Sequence, residues 1–123
     1  MAKACSSAVL DGLLDIVSGC NKYIICAGQP TTYTDANVTK NLASIAISGA
    51  AFTKADSGSN RQSTVGAQTA LTVNAAGTGD HIALINTTDS SLRYVTTIGT
   101  ARAIALTDTV NSAAFVITVN QPT

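Results

Sequence analysis

The sequence predicts a mainly β domain, an antiparallel β-sandwich of jelly-roll-like layout with one N-terminal α-helix. Turn-forming residues recur about every ten positions after Asn21. The apolar runs between them are short, and several alternate with the period of two that a half-buried strand requires. Helical spacing is clear in one stretch near the start, so the strand–helix–strand alternation that builds a parallel sheet is missing. The chain has 123 residues, which suits one domain with one modest core. Residues 1–123 are read as that domain, with the helix over about 6–18 and the sandwich over about 21–120.

In the helix, Leu10, Leu13, Leu14 and Val17 recur at helical spacing, Ser6 or Ser7 offers an N-cap, and Gly19 follows the end. Gly12 costs about 1 kcal/mol relative to Ala, so the helix depends on docking this stripe, Leu13 included, onto a sheet. Residues 22–27, with Tyr23, Ile24 and Ile25, form a buried strand that closes at Gly28-Gln29-Pro30. There Pro30 removes a ladder donor and biases Gln29 toward extended geometry. Thr34 or Asp35 can cap a short helical turn running to Leu42, after which residues 44–48 and 51–53 are extended with a break at Gly49.

Asp56-Ser57-Gly58-Ser59-Asn60 is a turn cluster. Residues 63–74 then alternate as a single strand, with Val65, Ala67, Thr69, Leu71 and Val73 on one face and Thr64, Gln68, Thr72 and Asn74 on the other. A loop over 75–80, carrying Gly77 and Gly79, leads into a strand at 81–86; a turn at 87–91 leads into another at 92–98. Ile104 and Leu106 mark a further short strand after Gly99. Residues 114–120 alternate with Phe115, Ile117 and Val119 inward until Pro122 stops them.

Composition narrows the function. Only 11% of residues are charged, where soluble domains carry about a quarter, so Thr, Ser, Asn and Gln must make the solvating shell. Seven Lys+Arg balance seven Asp+Glu for a formal net charge of zero, and no basic surplus is available to neutralise phosphates; nucleic acid is not an expected partner. The first residues lack the continuous apolar core of a signal peptide, because Asp11 and Asp15 interrupt the candidate run, and no secretory export is expected. No apolar window is long enough for a membrane span. Cys5, Cys20 and Cys26 match neither a paired zinc-ligand spacing nor Cys-x-x-Cys; they read as reduced, mostly buried residues, with a Cys20–Cys26 bridge as the alternative.

Candidate chemistry is sparse. His81 follows Asp80, but neighbours on a strand point to opposite faces, so the carboxylate is not expected to orient the ring, and no Gly-x-Ser-x-Gly nucleophile motif is present. Gly77-Thr78-Gly79-Asp80 and Gly58-Ser59-Asn60-Arg61 precede no helix and lack the Lys-Ser/Thr of a phosphate loop, so both read as β-turns. Asp11, Asp15, Asp35, Asp56, Asp80, Asp89 and Asp108 are scattered singly, without calcium-loop spacing, and read as caps and turn residues. The expectation is no catalytic residue, no cofactor and no metal. Arg61, Arg93 and Arg102 lie in or beside predicted strands, where Arg can clamp a partner's carboxylate, and are the candidate interface residues.

Several segments carry a resemblance. Ala-Val-Leu-Asp-Gly-Leu-Leu-Asp from Ala8, Cys26-Ala27-Gly28-Gln29-Pro30-Thr31-Thr32-Tyr33, the turn with Arg61, and Thr78-Gly79-Asp80-His81-Ile82-Ala83-Leu84 together resemble a group of small tailed-bacteriophage virion proteins. The resemblance implies a non-enzymatic structural protein, foremost a capsid decoration or cement protein. It would be made in the bacterial host cytoplasm and sit on the capsid surface. Its implied partners are the major capsid protein, copies of itself, or both, as a homo-oligomer on the virion, with no nucleic acid and no membrane. Two rival classes are a tail or fibre component that binds another virion protein or a host glycan, and a small hydrolytic or lectin-like module. Aromatics at 4% with no Trp count against glycan binding, and the missing constellation counts against the enzyme.

Overall fold

The structure, a computed structural model, describes residues 6–58 and 60–120. Its elements are α1 (Ser7–Ser18), β1 (Lys22–Cys26), β2 (Asn41–Ala46), β3 (Phe52–Ser57), β4 (Asn60–Val65), β5 (Gln68–Val73), β6 (Gly77–Asn86), β7 (Ser91–Ile104), β8 (Val110–Ser112) and β9 (Phe115–Val119). A π-helical turn, Asp35–Thr39, joins β1 to β2, and a 3-10 turn, Gly49–Ala51, joins β2 to β3. The strands form a six-stranded sheet in the order β7-β6-β1-β2-β5-β8 and a three-stranded sheet in the order β3-β4-β9, and every recorded pair is antiparallel. The expected mainly β, sandwich-like fold with one N-terminal helix is therefore present.

The chain changes sheet between β2 and β3, β4 and β5, and β8 and β9, and the core lies where the sheets meet. Tyr23, Ile25, Leu42, Leu71, Ile82, Leu84 and Val110 of the large sheet pack with Val65 and Ile117 of the small one and with Leu14 of α1. Phe115 of β9 bridges the layers, its ring centroid 6.3 Å from those of both Tyr23 and Tyr94. Strand β1 is buried on both faces. While Tyr23 and Ile25 point to the main core, Ile24 and Cys26 join Ala83 and Ile85 in a second cluster roofed by Ala36 of the π-helical turn.

Helix α1 begins where Ser6 Oγ accepts from Val9 N at 3.3 Å and ends at Gly19. It lies against β3, β4, β9 and β7. Leu10 and Leu14 are buried and Val17 partly so, whereas Leu13 is 52% exposed. This corrects the expectation that Leu13 is a buried anchor. At about 100° per residue, Leu10, Leu14 and Val17 form one stripe, and Leu13 falls with Val9 and Ile16 on a second stripe about 100° away. Val9 and Ile16 are 56% and 57% exposed.

Other departures have local causes. The alternating run 63–74 is two strands in different sheets, broken at Gly66-Ala67 where the chain crosses over; Gly66 N donates to Ala51 O at 2.8 Å there. Gly77 to Asp80 open β6 instead of forming a turn. A Cβ on Gly79 would stand 2.6 Å from Ile25 Cγ2, so glycine lets the strand run under the core. Ile104 ends the long β7, and Leu106 is an exposed turn residue that belongs to no strand. The helical turn after Asp35 stops at Thr39, because Asn41, the first residue of β2, already pairs with Cys26. Cys20 and Cys26 are free and buried; a chain that runs extended between them holds them roughly 20 Å apart, far beyond disulfide reach. Cys5 lies outside the described residues.

Candidate functional site

Two of the three candidate interface arginines are engaged within the chain. Arg61, on β4, grips Asp11 of α1 with two bonds, Nε to Oδ1 at 2.7 Å and Nη2 to Oδ2 at 3.3 Å, and donates from Nη1 to Asp56 Oδ1 at 2.6 Å. The hydrogen bond from Arg61 holds the Asp11 carboxyl below its ordinary value. Arg93, on β7, sends Nη1 to Ile16 O at 2.7 Å and Nη2 to Asp89 Oδ2 at 2.6 Å. It brings a cation to the carbonyl end of α1, whose own last turn has none. Lys54 of β3 pairs with Asp15 of α1. The helix is thus clipped to three strands, by Arg61, Lys54 and Arg93.

Arg102 differs. It stands exposed on β7, donates to Asn111 O at a long 3.4 Å, and meets no carboxylate among the described residues. Beside it is a half-open recess of ≈ 120 Å³. Buried Ile25 and Ile104, with half-buried Ile98, make its apolar floor, and exposed Arg102, Asn111 and Ala113 its rim.

Asp80 and His81 do come together, against the expectation from strand alternation: His81 Nδ1 is 2.9 Å from Asp80 Oδ1. The flat-strand rule fails because residues 98–101 of β7 bulge out opposite Asp80, between the pairs Gly79↔Arg102 and His81↔Thr97. Gly28 N, in a turn with φ +86°, also donates to Asp80 Oδ1 at 2.6 Å. The His81 bond first and the Gly28 bond second lower the Asp80 carboxyl. Cys26 is the register partner of His81 across β1 and β6. It is fully buried, with burial pushing its thiol up to about 12, and Sγ points to Ala36 O at 3.9 Å. A protonated thiol sealed in a core cluster is not a nucleophile a substrate can reach. Asp80, held by His81, and Cys26 fasten the residue 28–40 segment to the sheet at Gly28 N and Ala36 O. Among the described residues, no three His, Cys, Asp or Glu side chains are grouped to hold a metal ion, and no helix is long and apolar enough to cross a membrane.

A further surface feature is the second stripe of α1, Val9, Leu13 and Ile16, flanked by exposed Ala8 and by Gly12, whose Cβ position has no atom within 4 Å. A surface helix needs an apolar arc of about 100° to dock; counted around α1, this one spans roughly 160° from Ile16 to Leu14, and the fold covers less than all of it. The signal was readable as the pair of stripes 9/13/16 and 10/14/17. Spacing alone did not say which stripe the sheet would take. Set against protein-family models, curated proteins and solved structures, the chain matches none.

Proposed function

We propose that this chain is a bacteriophage virion structural protein, a decoration subunit that braces the head shell by protein–protein contacts and works without catalysis or cofactor. The observation that carries the reading is the uncovered stripe Val9, Leu13 and Ile16 on α1. It is an apolar, uncharged ridge, and the acids of the helix, Asp11 and Asp15, lie on a different face, paired with Arg61 and Lys54. Such a ridge suits an apolar groove between shell subunits, where an unpaired charge would be costly. It does not suit an anionic membrane, which calls for a cationic flank. The resemblance of the Gln29-Pro30-Thr31-Thr32-Tyr33 and Gly79-Asp80-His81-Ile82 segments to small tailed-phage virion proteins supplies the virion context.

The test is binding to assembled capsids, read by co-sedimentation and by cryo-electron microscopy of a tagged copy. The chain should label the shell, leave DNA unbound, and stay attached as salt rises from low to physiological levels, since few charges are there to screen. Leu13→Asp should weaken attachment at least about tenfold while its thermal unfolding stays unchanged. Labelling of the tail, or attachment indifferent to Leu13→Asp, would reject the assignment.

A further inference from the structure

The β7–β8 turn sets a projecting side chain next to a hole of matching character. Leu106 is 65% exposed. The turn that carries it is braced at its base: Asp108 Oδ2 accepts from Ala105 N at 2.8 Å, and Asp108 N donates to Ala105 O at 3.0 Å. Two residues before the knob, Ile104 forms the floor of the ≈ 120 Å³ recess. Cofactor and drug-sized ligands occupy pockets of about 300–1,000 Å³, so the recess is too small for them. It is close to the size of an apolar cavity of about 150 Å³ that accepts benzene, which is room for one aliphatic side chain.

Charge repeats the pattern. Arg102 on the rim meets no carboxylate, and Asp108, two residues past the knob, meets no cation, among the described residues. What the hole asks for is an aliphatic side chain with a carboxylate two residues on, and the chain displays that combination as Leu106-Thr107-Asp108.

We propose that two copies of the chain associate about a two-fold axis at this turn, Leu106 of each entering the recess of the other and Asp108 of each meeting the other's Arg102. A knob and hole on distant surfaces would propagate a filament; a knob and hole side by side are satisfied together by one two-fold. Arg, here at the edge of the pocket, is among the residues in which binding energy concentrates. This contact is separate from the α1 stripe and does not depend on the virion reading.

Sedimentation velocity of the full chain from about 1 to about 300 µM, checked by native mass spectrometry, tests it. A reversible monomer–dimer equilibrium is expected. Leu106→Ser, and Ala113→Leu, which fills the recess from its exposed rim, should each weaken dimerisation at least about tenfold, and Val38→Ser, an exposed apolar residue on the π-helical turn, should not. Circular dichroism of the variants should match the parent. A monomer at the highest concentration, an open-ended polymer, or a dimer that survives both Leu106→Ser and Ala113→Leu would overturn the proposal.

Discussion

Leu14 is fully buried between α1 and the sheets, while Leu13, one position earlier, is half in water. Truncating Leu14 to Ala removes apolar surface and leaves a cavity, and should cost about 2–5 kcal/mol of stability. Leu13→Ala should stay within about 0.5 kcal/mol. Urea unfolding with unchanged m-values measures both, and equal losses would mean that the helix docks by a different face. Ser63 carries the opposite kind of strain. It is fully buried on β4, and its Oγ makes no hydrogen bond to any described residue, an arrangement that generally costs about 1–3 kcal/mol. At this scale the sequence showed which residues were apolar and hid which of them were covered. Leu13 and Leu14 are the same residue type on the same helix, and the sheet beneath decides between them. Arg61 was picked out for its bidentate reach, but its partner, Asp11, is 50 positions away in the chain, a separation that no local pattern encodes.

Helix α1 is held by carboxylates, so its docking responds to acid. The Arg61 hydrogen bond lowers the Asp11 carboxyl; the Ser91 hydroxyl first and Arg93 second do the same for Asp89, which anchors the arginine that caps α1. A carboxyl with a depressed folded-state pKa stabilises the fold above its unfolded value, here 3.8. That contribution is lost as pH falls from there through the folded value. Amide exchange should therefore show α1 protection steady from neutral pH down to about 5 and falling below about 3.8. In Arg61→Gln the protection should be weaker already at neutral pH and less acid-dependent; an acid response identical to the parent's would exclude the Asp11 clip. Among the elements, α1 and β9 were legible because each has its own periodicity, and β1 because its short apolar run closes at Gly28-Gln29-Pro30. The run 63–74 misled because a period of two reports which way a side chain points and is blind to which sheet it points from; Gly66 was the one mark of the crossover. Strand β8, three residues long, is too short to display any period and exists because Leu71 and Val110 pair.

The molecule as a whole is stabilised without a covalent cross-link between Cys20 and Cys26, and both thiols sit in its core. Burial raises them to about 11 and about 12, so neither is a ready thiolate. In a Cys5→Ser variant, an aromatic disulfide reagent should label neither thiol of the native protein and both after guanidinium unfolding. Reductant should leave the melting temperature unchanged, and fast native labelling would place one of the thiols outside the core. The antiparallel layers were legible at this scale because turn spacing sets strand number and strand number sets class. The pairing order was not, since it depends on which strands meet after the chain has changed sheets. One such meeting has a consequence for synthesis on the ribosome. The small sheet is β3-β4-β9, and β9 enters from Phe115, fifty residues after β4 has ended at Val65. Until Phe115–Val119 clears the exit tunnel, β3 and β4 are a two-stranded hairpin, marginal in water, and Leu10 and Leu14 have lost part of the surface they dock on. Between the synthesis of β4 and that of β9, α1 therefore has an incomplete seat, and its apolar face stays open to a chaperone until β9 joins the small sheet.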